Sequence, residues 1–160
     1  GQTVISGELT ALTAAIELAV ERGARTVVRL AISIASHSPV MRSASEQFSQ
    51  ALARVGLRDA CVPVVANISA RAITSAEDIR KELAEQITGS VRWSQSIKAM
   101  VEDGVQTIVE IGPGDALSGI SRRISRDLQA FSVNSVEAIG QLPGRLQELE
   151  LRRVRGAGAA

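Results

Sequence analysis

Apolar and polar positions along the chain alternate between two periods. Thr3-Val4-Ile5-Ser6 reads as a short strand, and Glu8 to Arg22 carries Leu9, Leu12, Ile16, Ala19 and Val20 at helical spacing before a stop at Gly23. From Thr26 to Ala35 the period becomes two. Val28, Leu30, Ile32 and Ile34 alternate with Arg29, Ala31, Ser33 and Ala35, the pattern of a half-buried strand. Ser38-Pro39 has the form of an N-cap with proline at the first helical position, and Met41, Ala44, Phe48, Ala51, Leu52 and Val55 line one face of the helix it opens. Val62 to Ile68 is apolar and β-branched, as in a buried strand of a parallel sheet. Ser75 and Asp78 resemble a capping box for a helix with Ile79, Leu83 and Ile87.

A further helix is expected over residues 92–103 (Trp93, Ile97, Met100, Val101), with its stop at Gly104. Thr107 to Ile111 reads as a buried strand ending in the turn Gly112-Pro113-Gly114, followed by a helix marked by Leu117, Ile120, Ile124 and Leu128. Ala130 to Val133 is a last short strand. Helical spacing resumes at Val136 and is expected to break at Pro143-Gly144, with a frayed end over Leu151 to Ala160. Strands alternating with helices define an α/β fold with a mostly parallel sheet and flanking helices.

Composition narrows the function classes. Of 160 residues 45% are hydrophobic and 22% charged, enough apolar material for a packed domain and too much for a disordered tail. The longest apolar runs are too short to span a bilayer. Eighteen Lys and Arg against 17 Asp and Glu give a net charge of +1, which with one Trp and no Tyr argues against a nucleic-acid binder, since those usually show a basic face or stacking aromatics. Cys61 stands alone, so neither an internal disulfide nor a cysteine zinc site can form, and a single histidine excludes a multi-histidine metal site. These features suit an intracellular protein. The opening Gly1-Gln2-Thr3-Val4-Ile5-Ser6-Gly7 enters a strand at once, which leads us to expect a piece of a larger domain.

Few residues bear chemistry. His37 falls between a strand and a helix start, where open α/β sheets gather functional groups. There it suits a general base, or equally a loop histidine bonded to its own turn. The Gly112-Pro113-Gly114 turn lacks the third glycine of a dinucleotide fingerprint, since position 117 is Leu, and reads as a tight strand-to-helix connection. Cys61, heading an apolar run, is expected to be a small buried residue rather than a nucleophile. No G-x-S-x-G elbow occurs in the sequence. Glu77, Asp78, Glu82 and Glu85, with Arg80 and Lys81, read as a solvated helix face, and Arg152, Arg153 and Arg155 as a soluble end.

Three landmarks in order, Ser36-His37-Ser38-Pro39-Val40-Met41, Gln86-Ile87 leading to Val91-Arg92-Trp93, and Glu110-Ile111-Gly112-Pro113-Gly114, resemble one family. It is that of the malonyl-CoA:acyl carrier protein transacylases and the acyltransferase domains of fatty acid and polyketide synthases. The likeness covers roughly residues 1–135. It implies that residues 1–33 are the later part of a ferredoxin-like small subdomain, residues 34–150 the later part of an α/β acyltransferase core, and 151–160 a flexible tail.

The resemblance also implies roles. His37 matches the family's catalytic histidine, which takes a proton from a serine hydroxyl and returns it. Gln86 matches the residue whose main-chain carbonyl accepts the ring's other N–H, the orienting task of Asp in a Ser-His-Asp triad. Ala35 and Ser36 fall where the family senses the acyl group. Ile34-Ala35-Ser36-His37 fits the roomier pattern only in part, so the acyl group stays open. The implied activity moves malonyl, or a related acyl group, from coenzyme A to the phosphopantetheine thiol of acyl carrier protein in the cytoplasm. No cofactor is implied beyond the coenzyme A thioester substrate, and neither nucleic acid nor membrane is a partner.

The family's serine in G-H-S-x-G, its carboxylate-pairing arginine and its oxyanion glutamine have no counterpart here and are expected upstream, in an N-terminal portion of the same domain. The alternatives are a non-catalytic remnant that docks carrier protein or a synthase partner, and a nucleotide site at the Gly112-Pro113-Gly114 turn.

Overall fold

The computed structural model describes residues 2–157. They divide into two compact units, Gly1–Ser96 and Ile97–Ala160. The first holds helix α1 (Leu9–Glu21), a 3-10 turn (Pro39–Met41) running into α2 (Arg42–Leu52), the short strands β1 (Val64–Val65) and β2 (Ala72–Ile73), and α3 (Ala76–Gln86). Helix α4 (Trp93–Glu102) crosses the division, and the second unit continues with β3 (Thr107–Ile111), α5 (Ala116–Ile124), β4 (Gln129–Val133) and α6 (Val136–Ala157). The α/β class expected from the alternating periods is the one observed.

Helix ends follow local chemistry. Gly23 (φ 83°) and Gly104 (φ 89°) take the left-handed conformation that closes α1 and α4. In each case the next amide reaches back, Ala24 N–H to Ala19 O and Val105 N–H to Met100 O, satisfying carbonyls the helix leaves free. At α3 the Ser75 hydroxyl accepts the Asp78 N–H at 3.0 Å and donates to the Asp78 carboxylate at 2.6 Å. This is half of the expected reciprocal box, because that carboxylate bonds the hydroxyl rather than the Ser75 amide.

In the second unit β3 and β4 run parallel, paired from Thr107 with Gln129 to Ile111 with Val133. Parallel neighbours need a crossover, and α5 supplies it. Leu128, Ala130, Phe131 and Val133 are buried, so β4 is covered on both faces. The Arg145 guanidinium lies 3.8 Å from the centre of the Phe131 ring, a cation–π contact between α6 and β4.

The Glu110 carboxylate, from the end of β3, accepts the first amides of α5, Ser118 N–H at 2.7 Å and Leu117 N–H at 3.1 Å. The Ser118 amide above all, helped by the Leu117 amide and Arg122, holds this carboxyl below its ordinary value of 4.5. A lowered folded-state value means the stabilisation is present above the ordinary value and lost as pH falls through the folded one. Melting temperature measured against pH is therefore expected to decline below about 4.5. Glu110→Gln should lower the neutral-pH melting temperature and flatten that decline. A variant melting like wild type at every pH would show the contact to be idle. Glu137, held low by its own amide and the Ser135 hydroxyl, accounts for a residual slope.

Several expectations are corrected. Residues 26–35 form no strand and residues 3–6 form none. The period-two stripe is there, but no described backbone pairs with it, and Val28 and Ile32 are 69% and 63% exposed. Within 62–68, only Val64 and Val65 are strand, and they pair antiparallel with Ile73 and Ala72 rather than entering a parallel sheet. The chain turns back at once: Ala70, at φ 56°, bonds Ala66 O through its N–H, and Ala66 N–H bonds Arg71 O. Cys61, ahead of this hairpin, is exposed rather than buried.

The charged face of α3 is not merely solvated. Arg80 donates to Leu52 O and, at 2.8 Å, to Val55 O, filling carbonyls at the end of α2. Glu82 Oε1 accepts the Ile68 N–H at 2.7 Å. Pro143 does not break α6, which continues to Ala157 with that residue inside it at the loss of one N–H bond. The frayed end expected over Leu151 to Ala160 is helical to Ala157, and residues 158–160 lie outside the described residues.

Candidate active site

His37 is set on a backbone kink. Its φ of 62° is left-handed, a conformation uncommon for a side chain of this size. Three bonds hold the kink. The His37 amide donates to Ile87 O at 2.9 Å, the Ser38 hydroxyl donates to Ala35 O at 2.7 Å, and the Ser6 hydroxyl donates to Ser36 O at 2.5 Å. Ser38 is 3% exposed and occupies the expected N-cap position in extended conformation, but its hydroxyl is turned to Ala35 and makes no side-chain cap bond to the helix start. Helix initiation falls instead to Pro39 and the 3-10 turn it opens.

The ring of His37 is anchored at one nitrogen. Nδ1 lies 3.0 Å from Gln86 O and 3.1 Å from Gly89 O. Carbonyl oxygens only accept, so Nδ1 must carry the hydrogen. In the neutral ring this leaves Nε2 with a lone pair, the tautomer a proton acceptor requires. The side chain is exposed, not sealed among hydrocarbon.

The structure thus brings four residues singled out by sequence into one place: His37 and the Gln86 carbonyl by direct contact, and Ala35 and Ser36, half-buried, through the turn that carries His37. Gly89 and Ile68 escaped the sequence reading. A glycine three residues past Gln86 signals only a helix end, and nothing local marks Ile68. Near the turn an open cleft of about 390 Å³ is lined by Pro39, Arg42, Ser45, Glu46 and Thr88, none of them a sequence candidate.

Elsewhere the candidates thin out. At the Gly112-Pro113-Gly114 turn, with φ of 139° and 91° at the two glycines, amides of α5 that would receive a phosphate are already taken by the Glu110 carboxylate. That occupancy weighs against a nucleotide site there. Among the described residues, no helix is long and apolar enough to cross a membrane.

Comparison with known proteins places this geometry. No family model matches the chain. A Bacillus subtilis (strain 168) malonyl CoA-acyl carrier protein transacylase is 40% identical over 139 residues, covering 87% of this chain and 44% of that protein. Crystallised acyl-carrier-protein-S-malonyltransferase from Bartonella henselae superposes with a TM-score of 0.82 at 36% identity, over 88% of this chain and 45% of that one. A type II PKS acyl-carrier protein in complex with its malonyl-transacylase gives 0.81 at 32% identity, over 84% and 44%. The chain is thus similar to α/β acyltransferases. Within that class its likeness is to the malonyl CoA-acyl carrier protein transacylases, over most of its own length. It spans less than half the length of the relatives it matches.

Proposed function

We propose that the chain supplies the proton-transfer half of a malonyl-CoA:acyl carrier protein transacylase. The observation that carries this reading is the His37 ring, its Nδ1–H held between two main-chain carbonyls and Nε2 left as acceptor. In the first half-reaction Nε2 takes the proton of a serine hydroxyl as that oxygen attacks the malonyl thioester carbonyl. The carbon–sulfur bond breaks, and coenzyme A leaves with the proton as its thiol. In the second half the phosphopantetheine thiol of the carrier gives its proton to Nε2 and its sulfur attacks the acyl-serine. The serine oxygen departs and recovers that proton. Gln86, by its carbonyl, orients the ring, and Ala35 and Ser36 face the acyl group. The serine, the carboxylate-binding arginine and the oxyanion donor belong to a segment outside these 160 residues.

The same reading assigns residues 1–33 to a small ferredoxin-like subdomain, 34–150 to the acyltransferase core and 151–160 to a tail, within a cytoplasmic protein. Coenzyme A enters as substrate, with no resident cofactor. The relatives' names support malonyl as the acyl group, and the solved complex of a malonyl-transacylase with its acyl-carrier protein supports the partner. The test is transfer of labelled malonyl from coenzyme A to a phosphopantetheinyl carrier by the protein that joins this chain to its serine-bearing segment. Absence of labelled carrier would overturn the reading.

Gln86→Ala separates backbone from side chain. The carbonyl survives the substitution, so the initial transfer rate should stay within about threefold of wild type, the range of a change that removes no essential contact. A fall as large as that from removing His37 would assign the work to the amide side chain.

A further inference from the structure

Two carbonyls meet His37 Nδ1, and the second depends on a glycine. Gly89 lies just past α3, where the amides of Thr88 and Gly89 both turn back to Glu85 O, at 3.2 and 2.8 Å. This tight turn aims Gly89 O at the ring, 3.1 Å from Nδ1. A Cβ built on Gly89 would fall 2.4 Å from Ile68 Cδ1, 3.3 Å from Ile68 Cγ1 and 3.0 Å from Glu85 O. Gly56, Gly119, Gly140 and Gly144 would meet nothing within 4 Å. Glu82 Oε1 holds the Ile68 main-chain N–H at 2.7 Å, which fixes the backbone there and leaves the Cδ1 end of the side chain free to turn. One methyl group at position 89 therefore displaces the end of the Ile68 side chain and presses on the Glu85 carbonyl, the main-chain acceptor around which the Thr88 and Gly89 amides form the turn.

We infer that Gly89 is a positioning residue for His37: lacking a side chain, it lets Ile68 close against the turn and so seats a second carbonyl on Nδ1. The inference rests on the reading of His37 as proton acceptor. A lone carbonyl leaves the ring free to pivot about one bond, whereas two acceptors astride a single N–H restrict the pivot and fix where Nε2 points. Misplacement of a reacting group by an ångström costs far more in rate than in binding.

The chain carries one histidine, so ¹⁵N-histidine labelling reports this ring without ambiguity. Wild-type protein at a pH where the ring is neutral should show a protonated Nδ1 with a slowly exchanging hydrogen and an unprotonated Nε2. The opposite tautomer would overturn the inference before any variant is made. Gly89→Ala should speed that exchange and reduce kcat for acyl transfer at least about tenfold with KM little changed. Adding Ile68→Val removes the closest clash and should return the ring signals to wild type and kcat to within about threefold.

A folded Gly89→Ala protein with unaltered ring signals and kcat would refute the role. So would a folded double variant whose ring signals stay disturbed. Should Gly89→Ala alone fail to fold, the wild-type tautomer and the double variant still decide. Ring signals need no substrate: a protein that shows them yet transfers no acyl group would retire the transfer reading and leave the positioning intact.

Discussion

His37→Asn is expected to slow malonyl transfer by about 10²- to 10⁴-fold, the usual contribution of a positioned general acid–base group. Asparagine is the informative substitute because of the backbone. At φ 62° most side chains crowd the following carbonyl, but asparagine visits this region readily. The kink, and with it the Ile87 bond to the His37 amide, should persist. The substitution then removes proton exchange and little else. An amide cannot cycle a proton between serine, coenzyme A and carrier thiol, so both half-reactions lose the same group. His37→Ala should be equally slow, and any change in its melting temperature would report the lost ring bonds to Gln86 O and Gly89 O, because histidine and alanine both carry a Cβ at this φ. Rates near wild type in His37→Asn, with its fold intact by circular dichroism, would dismiss the ring as proton carrier. Loss of both rate and fold in His37→Asn would instead mark the residue as structural.

What the sequence disclosed, and what it withheld, follows from where each signal is stored. Thr107–Ile111 was legible as a strand because its partner, Gln129–Val133, lies within the same βαβ unit and both ends carry turn chemistry. The stops at Gly23 and Gly104 were legible because left-handed closure is a single-residue property. At 26–35 the alternation is a real pattern that does not become an element. A strand exists only through ladder bonds to another backbone, and no described residue offers them. At 62–68 composition pointed to burial, while Pro63 removes a donor and the return at Ala70 sends the chain back after two paired residues.

In the candidate site, His37 and Gln86 came from a family resemblance rather than from spacing, 49 residues being too far apart for any periodicity to link them. Gly89 stayed hidden because its partner, Ile68, is met only in three dimensions.

Self-association is the second large effect, and it follows from that unpaired segment. Val28, Leu30, Ile32 and Ile34 alternate as an apolar stripe, each between 47% and 69% exposed, on a backbone with no ladder partner among the described residues. A fully buried side chain of this kind contributes about 1.5–3 kcal/mol, so covering even half of four such residues offers roughly 3–6 kcal/mol before the cost of association. An extended backbone with an apolar face is a template for edge pairing.

The 160-residue chain is therefore expected to sediment as concentration-dependent oligomers. Val28→Lys with Ile32→Lys should weaken that association by at least about tenfold, because each lysine places a charge on the stripe that edge pairing would have to desolvate. Both positions are exposed and remote from the β3–β4 sheet in sequence, so the melting of that sheet should be unaffected. Joined to the serine-bearing segment of the proposed enzyme, the wild-type stripe should be covered and the protein monodisperse. A wild-type chain that sediments as a monomer at every concentration, with one cooperative melt, would mean that the stripe is harmless in water. It would also remove the strongest physical reason for supposing that another strand belongs beside it.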